Sequence, residues 1–111
     1  MNIKQLAEKL QLKIVGGTQG ISNEITGGYT SDLLSDVMGN IIDGNIWITL
    51  QTHKNVVAIA SLREVSGIVL VKGLQPDSDM LEKANDEGIP VLSTEMETFE
   101  ITGKIYNLLN N

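Results

Sequence analysis

Cysteine is absent from the 111 residues. Its absence excludes disulfides, thiolate zinc sites, cysteine-ligated iron–sulfur clusters and cysteine nucleophiles, and it suits a reducing cytoplasm. Long apolar runs are missing too: Val56 to Ala60 and Ile68 to Val71 are among the longest, far short of the roughly 18 residues a membrane span needs. The first residues, Met1-Asn2-Ile3-Lys4-Gln5, lack the apolar core and cleavage site of a secretory signal, so a cytoplasmic address without membrane association is expected. Basic charge is scarce. Eight Lys and Arg stand against fourteen Asp and Glu, a net charge of −6, which repels a phosphate backbone and argues against a nucleic-acid partner. No GxxxxGK[ST] phosphate loop occurs, and Gly16-Gly17-Thr18-Gln19-Gly20 has neither the GxGxxG spacing nor the lysine of one; it reads as an ordinary glycine turn.

What remains is the profile of one globular domain over residues 1–111, with 41% hydrophobic and 20% charged residues. A chain of this length buries roughly two-thirds of the surface its unfolded form exposes, so it can fold alone, with margin to gain from a second subunit. The acids are uneven. From Asp77 to Glu100 eight carboxylates face Lys83 alone, whereas between Gly44 and Gly73 the balance inverts, with Lys54, Arg63 and Lys72 against Glu64. The sole histidine, His53, lies in that second stretch.

Hydrophobic spacing sets the elements. Ile3, Leu6, Ala7 and Leu10 recur with helical period, predicting an opening amphipathic helix. A strand follows over Leu12 to Val15, then the glycine loop, a second strand within Glu24 to Tyr29, and a short helix. Thr30-Ser31-Asp32 supplies capping residue types for that helix, and Leu33, Leu34, Val37 and Met38 its apolar face. Asn45 to Leu50 is rich in β-branched and aromatic residues and predicts a strand; Asn55 to Arg63 predicts a helix lying on a sheet. Ile68 to Val71 has no polar face, which places it mid-sheet with cover on both sides. Pro76 and Asp77 open a helix to Glu87 with Met80, Leu81 and Ala84 inward and Gly88 at its end; Ile89 to Leu92 is a strand. Thr98 to Leu109 closes the chain as a helix, with Phe99, Ile101, Ile105, Leu108 and Leu109 expected inward and Gly103 where the backbone can approach a neighbour. Alternation of strand and helix at short intervals predicts an α/β fold, a mainly parallel sheet flanked by helices in three layers.

Ligands of open parallel sheets lie beyond the carboxyl ends of the strands. Three turns qualify: Leu50 to Asn55, Val71 to Asp77 and Ser93 to Thr98. The backbone of Gly27-Gly28 could serve a turn or cradle an anion, and Asp32 with Asp36 could share a helix face toward a cation or serve capping instead. His53, with Thr49, Thr52 and Ser61 as hydroxyls nearby in sequence, would need an orienting partner and a placed nucleophile before it could act as a base. No motif supplies them, so no catalytic residue, cofactor or metal is assigned. Trp47 reads as core or interface filler, since no second aromatic stands at i±2.

Taken together, Asn45-Ile46-Trp47-Ile48-Thr49-Leu50, the turn Gln51-Thr52-His53-Lys54-Asn55-Val56, Ile68 to Val71, Pro76 to Gly88, Ile89 to Thr94 and Thr98-Phe99 resemble the DRTGG domain, most strongly after Ile25. The Asp-Arg and Thr-Gly-Gly positions that name the family fall at Thr52-His53 and Val71-Lys72-Gly73, where only Gly73 is retained. The resemblance implies a stand-alone regulatory or ligand-binding module without chemistry of its own, similar to the N-terminal domain of HPr kinase/phosphorylase, and paired as a homodimer. The candidate ligand residues are Thr52, His53, Lys54, Asn55, Gly73, Thr94 and Thr98, with a small anionic or nucleotide ligand as the guest. The alternative is a docking subunit of a larger metabolic enzyme, contacting that partner through the acidic Asp77 to Glu100 region or an exposed sheet edge.

Overall fold

A computed structural model describes residues 1–110. The chain opens on helix α1 (Ile3–Leu10), closed at its start by a reciprocal pair: Asn2 Oδ1 accepts the Gln5 amide at 2.8 Å and Gln5 Oε1 accepts the Asn2 amide at 2.9 Å. Strand β1 (Lys13–Gly16), a 3-10 turn (Thr18–Gly20) and strand β2 (Gly27–Thr30) follow. Three helices then link consecutive parallel strands: α2 (Leu34–Asn40) joins β2 to β3 (Asn45–Thr49), α3 (Lys54–Leu62) joins β3 to β4 (Gly67–Leu70), and α4 (Ser78–Glu87) joins β4 to β5 (Val91–Ser93). Helix α5 (Thr98–Leu109) ends the described chain.

The sheet runs β1-β5-β4-β3-β2, parallel except for β1, which pairs antiparallel with β5 and places Lys13 opposite Ser93. Side chains alternate across it as the two-residue period of a strand requires. Trp47, Ile68, Leu70 and Val91 face one way and pack with Val37, Val56, Val57, Ala60, Met80 and Ala84 of α2, α3 and α4. Ile46, Ile48, Val69 and Leu92 face the other way onto Ile3, Leu6, Ile101 and Ile105 of α1 and α5. The expected three-layer α/β architecture is therefore observed, and β4 is buried along its whole length. Among the described residues no helix is long and apolar enough to cross a membrane.

Several local expectations are corrected. Phe99 is 92% exposed rather than inward, because Ile101 and Ile105 define the buried direction of α5 and a residue two positions from Ile101 points about 200° away. Gly103, expected at a close backbone approach, has open space where a side chain would be. Leu33 is 65% exposed and precedes α2, which buries Val37 instead. None of Thr30, Ser31 and Asp32 caps that helix: the Asp32 carboxylate receives the Thr49 hydroxyl at 2.9 Å and the Leu50 amide at 2.7 Å, pinning the end of β3. Asp36 accepts the Tyr29 hydroxyl at 2.9 Å, so the two aspartates serve different partners and do not form one cation face. Trp47 is core, fully buried with its Nε1 donating to the Ser31 carbonyl at 2.9 Å.

Candidate functional site

The direction of the connections selects one place on the sheet. Helices α2, α3 and α4 all lie on one face, but α5 leaves β5 for the opposite face. The loops after the adjacent parallel strands β4 and β5 thus diverge, and in open α/β sheets such a divergence at the carboxyl ends of the strands leaves a crevice. A recess of about 420 Å³ lies there. Gly73 and Gln75 come from the loop after β4; Ser93, Thr94 and Glu95 come from the end of β5 and its loop; Lys13 closes the side from antiparallel β1.

The three predicted turns adjoin. The Thr52 carbonyl accepts the Asp77 amide at 3.0 Å, and the Gly73 amide donates to the Thr94 carbonyl at 2.8 Å, with Lys72 donating to Met96 at 2.9 Å alongside. The turns therefore form a continuous rim, although the residues chosen from them do not share one cavity. Gly73 and Thr94 line the recess. His53 stands at the first junction, with Nδ1 3.0 Å from Asp77 Oδ2, and Thr52 contributes its carbonyl there. Lys54 lines a separate surface depression with Asp79, Glu82, Lys83 and Asp86 on the α3–α4 side. Asn55 is exposed on the first turn of α3, and half-buried Thr98 opens α5; neither lines the recess. The recess adds Gln11, Lys13, Gln75 and Ser93, which the sequence reading missed. Lys13 and Ser93 meet only through the antiparallel β1–β5 register, a long-range pairing that no local pattern encodes.

Electrostatics are local. Asp77 is the N-cap of α4: its Oδ1 accepts the Met80 amide at 2.8 Å. That bond first, and the His53 contact second, hold its carboxyl below the usual carboxylate range of 3.8. The same residue thereby ties the loop after β3 to the start of α4. His53 gains the orienting carboxylate that a general base needs, yet both side chains are largely open to water, at 70% and 42% exposure, which weakens the pair. Gly73 adopts φ +72, and a Cβ there would come within 2.6 Å of Glu95 Oε2. The Glu95 carboxylate thus lies over the Gly73 backbone, so the recess carries one acid and one base, Glu95 and Lys13. Gln75 Nε2 lies 3.4 Å from Ser93 Oγ, completing a polar lining. Among the described residues no group of three or more His, Asp or Glu is placed to hold a metal ion.

The sequence profile of the DRTGG domain matches residues 5–108. The chain is 25% identical over 126 aligned positions to the HPr kinase/phosphorylase of Geobacillus sp. (strain WCH70), covering 97% of this chain and 40% of that protein. Its fold resembles the CBS and DRTGG domains of the regulatory region of Clostridium perfringens pyrophosphatase, a structure complexed with its activator diadenosine tetraphosphate. The TM-score is 0.66 at 15% identity, over 95% of this chain and 45% of that one. The chain therefore spans less than half the length of each of these relatives.

Proposed function

This chain belongs to the DRTGG domain family, and on that premise we propose that it is a regulatory module, without catalysis of its own, that binds a small phosphorylated ligand of the nucleotide class and acts as a homodimer. The observation that carries the reading is the position of the recess, at the divergence of the β4 and β5 loops, where a guest meets strand ends and loop backbone from two layers at once. In this reading Lys13 receives the anionic group. Glu95, Gln11, Gln75 and Thr94 hydrogen-bond hydroxyl and amino groups of the remainder, which suits a nucleoside better than bare phosphate. Gly73 has no Cβ to displace the Glu95 carboxylate that lies over it, and Thr52, His53 and Asp77 transmit the presence of the guest from the rim to α3 and α4. The relative complexed with a nucleotide activator lends support to this ligand class.

The test is calorimetry and thermal shift with AMP, ATP, diadenosine tetraphosphate and inorganic phosphate. At a ligand concentration of about one hundred times Kd, binding should add roughly 2.7 kcal/mol of stability. Lys13→Ala should weaken binding at least about tenfold, the equivalent of one charge-assisted hydrogen bond. His53→Ala should leave affinity within a few-fold while altering the response of α3. If none of the compounds raises the melting temperature at millimolar concentration, or Lys13→Ala binds as the parent does, the ligand reading fails.

A further inference from the structure

The outer face of α5 is built unlike a solvent-facing helix. Phe99, Gly103, Tyr106 and Asn110 recur at intervals of three and four and so fall on one line along the helix. Phe99 is 92% exposed and Tyr106 66%, with Gly103 between them leaving open space. Beside this line runs a mainly apolar groove of about 420 Å³ between α5 and the edge strand β2, lined by Gly28, Tyr29, Thr102, Tyr106 and Leu109 among others and by no charged residue. One aromatic knob and one aromatic-walled groove therefore share a face, seven residues apart, a separation of about 10 Å along the axis.

We propose that a second copy of this chain covers this face, its α5 antiparallel to the first across Gly103; the proposal rests on the homodimer reading above and supplies its surface. Two-fold pairing centred between Thr102 and Gly103 sets each Phe99 against the partner's Tyr106 at the mouth of the groove, while the bare Gly103 backbone permits close approach. Charge favours the same arrangement. The chain has a net charge of −6, so self-association needs a face where acids are balanced. On α5 the acid Glu100 and the base Lys104 occupy the flank away from the groove, paired at 3.8 Å within one chain. A two-fold axis perpendicular to the helices keeps that flank against its own copy and brings each Glu100 beside the opposite Lys104. Parallel pairing instead turns the charged flank toward the uncharged groove.

Sedimentation equilibrium tests the proposal, the parent chain being expected at twice 12.0 kDa. Phe99→Asp and Gly103→Leu, both at positions with open space around them, should weaken association at least tenfold with unchanged circular dichroism. Glu100→Lys and Lys104→Glu chains should each associate weakly alone and recover association when mixed, since mixing restores the pairs between chains and not the pair within either chain. Because the chain contains no cysteine, Gly103→Cys should be crosslinked to itself by a short bis-maleimide, and Asp86→Cys, on α4, should not. A parent chain that is monomeric at high concentration overturns this surface and the homodimer reading together. A dimer indifferent to Phe99→Asp and Gly103→Leu overturns this surface alone.

Discussion

Two glycines with nearly the same backbone should respond differently to the same substitution. Gly17 and Gly73 have φ of +65 and +72, so placing alanine at either carries the left-handed penalty, about 1–2 kcal/mol. Their surroundings separate them. At Gly73 the new Cβ meets the carboxylate end of Glu95, an exposed and flexible side chain that can swing aside. At Gly17 it meets the carbonyl of Ile89, main chain held by the entry into β5 and unable to move without shifting the sheet. Gly73→Ala is therefore expected to cost about 1–2 kcal/mol, the backbone penalty alone. Gly17→Ala should cost about 2–5 kcal/mol, once an overpacking cost of about 1–3 kcal/mol is added. Domains of this kind are stable by only about 5–15 kcal/mol, so the second variant should be visibly marginal. Urea unfolding followed by circular dichroism reads both, and Glu95→Ala in the Gly73→Ala background should change little. Equal losses at the two positions would refute the reasoning, since the shared φ would then account for everything and the neighbouring atoms for nothing.

Acid should act through two carboxylates. The Ser31 and Tyr29 hydroxyls hold Asp36 below its ordinary 3.8, as the Met80 amide does Asp77. A depressed folded-state pKa contributes stability above the unfolded value that is lost as pH falls through the folded one. The urea midpoint should accordingly drop below pH 3.8, and Asp36→Asn with Asp77→Asn should flatten that limb; an unchanged limb would assign acid sensitivity elsewhere. Trp47→Phe should cost about 2–3 kcal/mol, from lost volume and an orphaned Ser31 carbonyl. A loss under about half a kilocalorie per mole would show that this hydrogen bond contributes nothing to the core.

Local pattern made much of the architecture legible. The Ile-Val-Leu-Val run at Ile68 to Val71 announced a buried strand, and Asp77 with Gly88 bracketed α4 as N-cap and left-handed C-cap. Thr98–Leu109 was bounded correctly from composition. Phe99 misled because hydrophobicity alone cannot say which of several apolar residues on a helix sets the buried direction. Asp32 misled because its carboxylate answers a strand end far along the chain rather than the helix beside it. Of the residues named from the sequence, Gly73 and Thr94 line the candidate recess, just beyond the ends of β4 and β5, where the parallel pattern pointed.

Lys13 and Ser93 lay beyond that reading, being eighty residues apart in sequence and joined only by an antiparallel pairing at the sheet edge. The order of residues determined which segments become strands and helices, since these follow from periods of two and 3.6 residues. Tertiary structure alone decided which strand ends are neighbours and that α5 crosses to the opposite layer, exposing Phe99 and leaving the recess beside β1. Contacts between distant segments depend on the packing of the whole chain, and no short stretch of it carries that information.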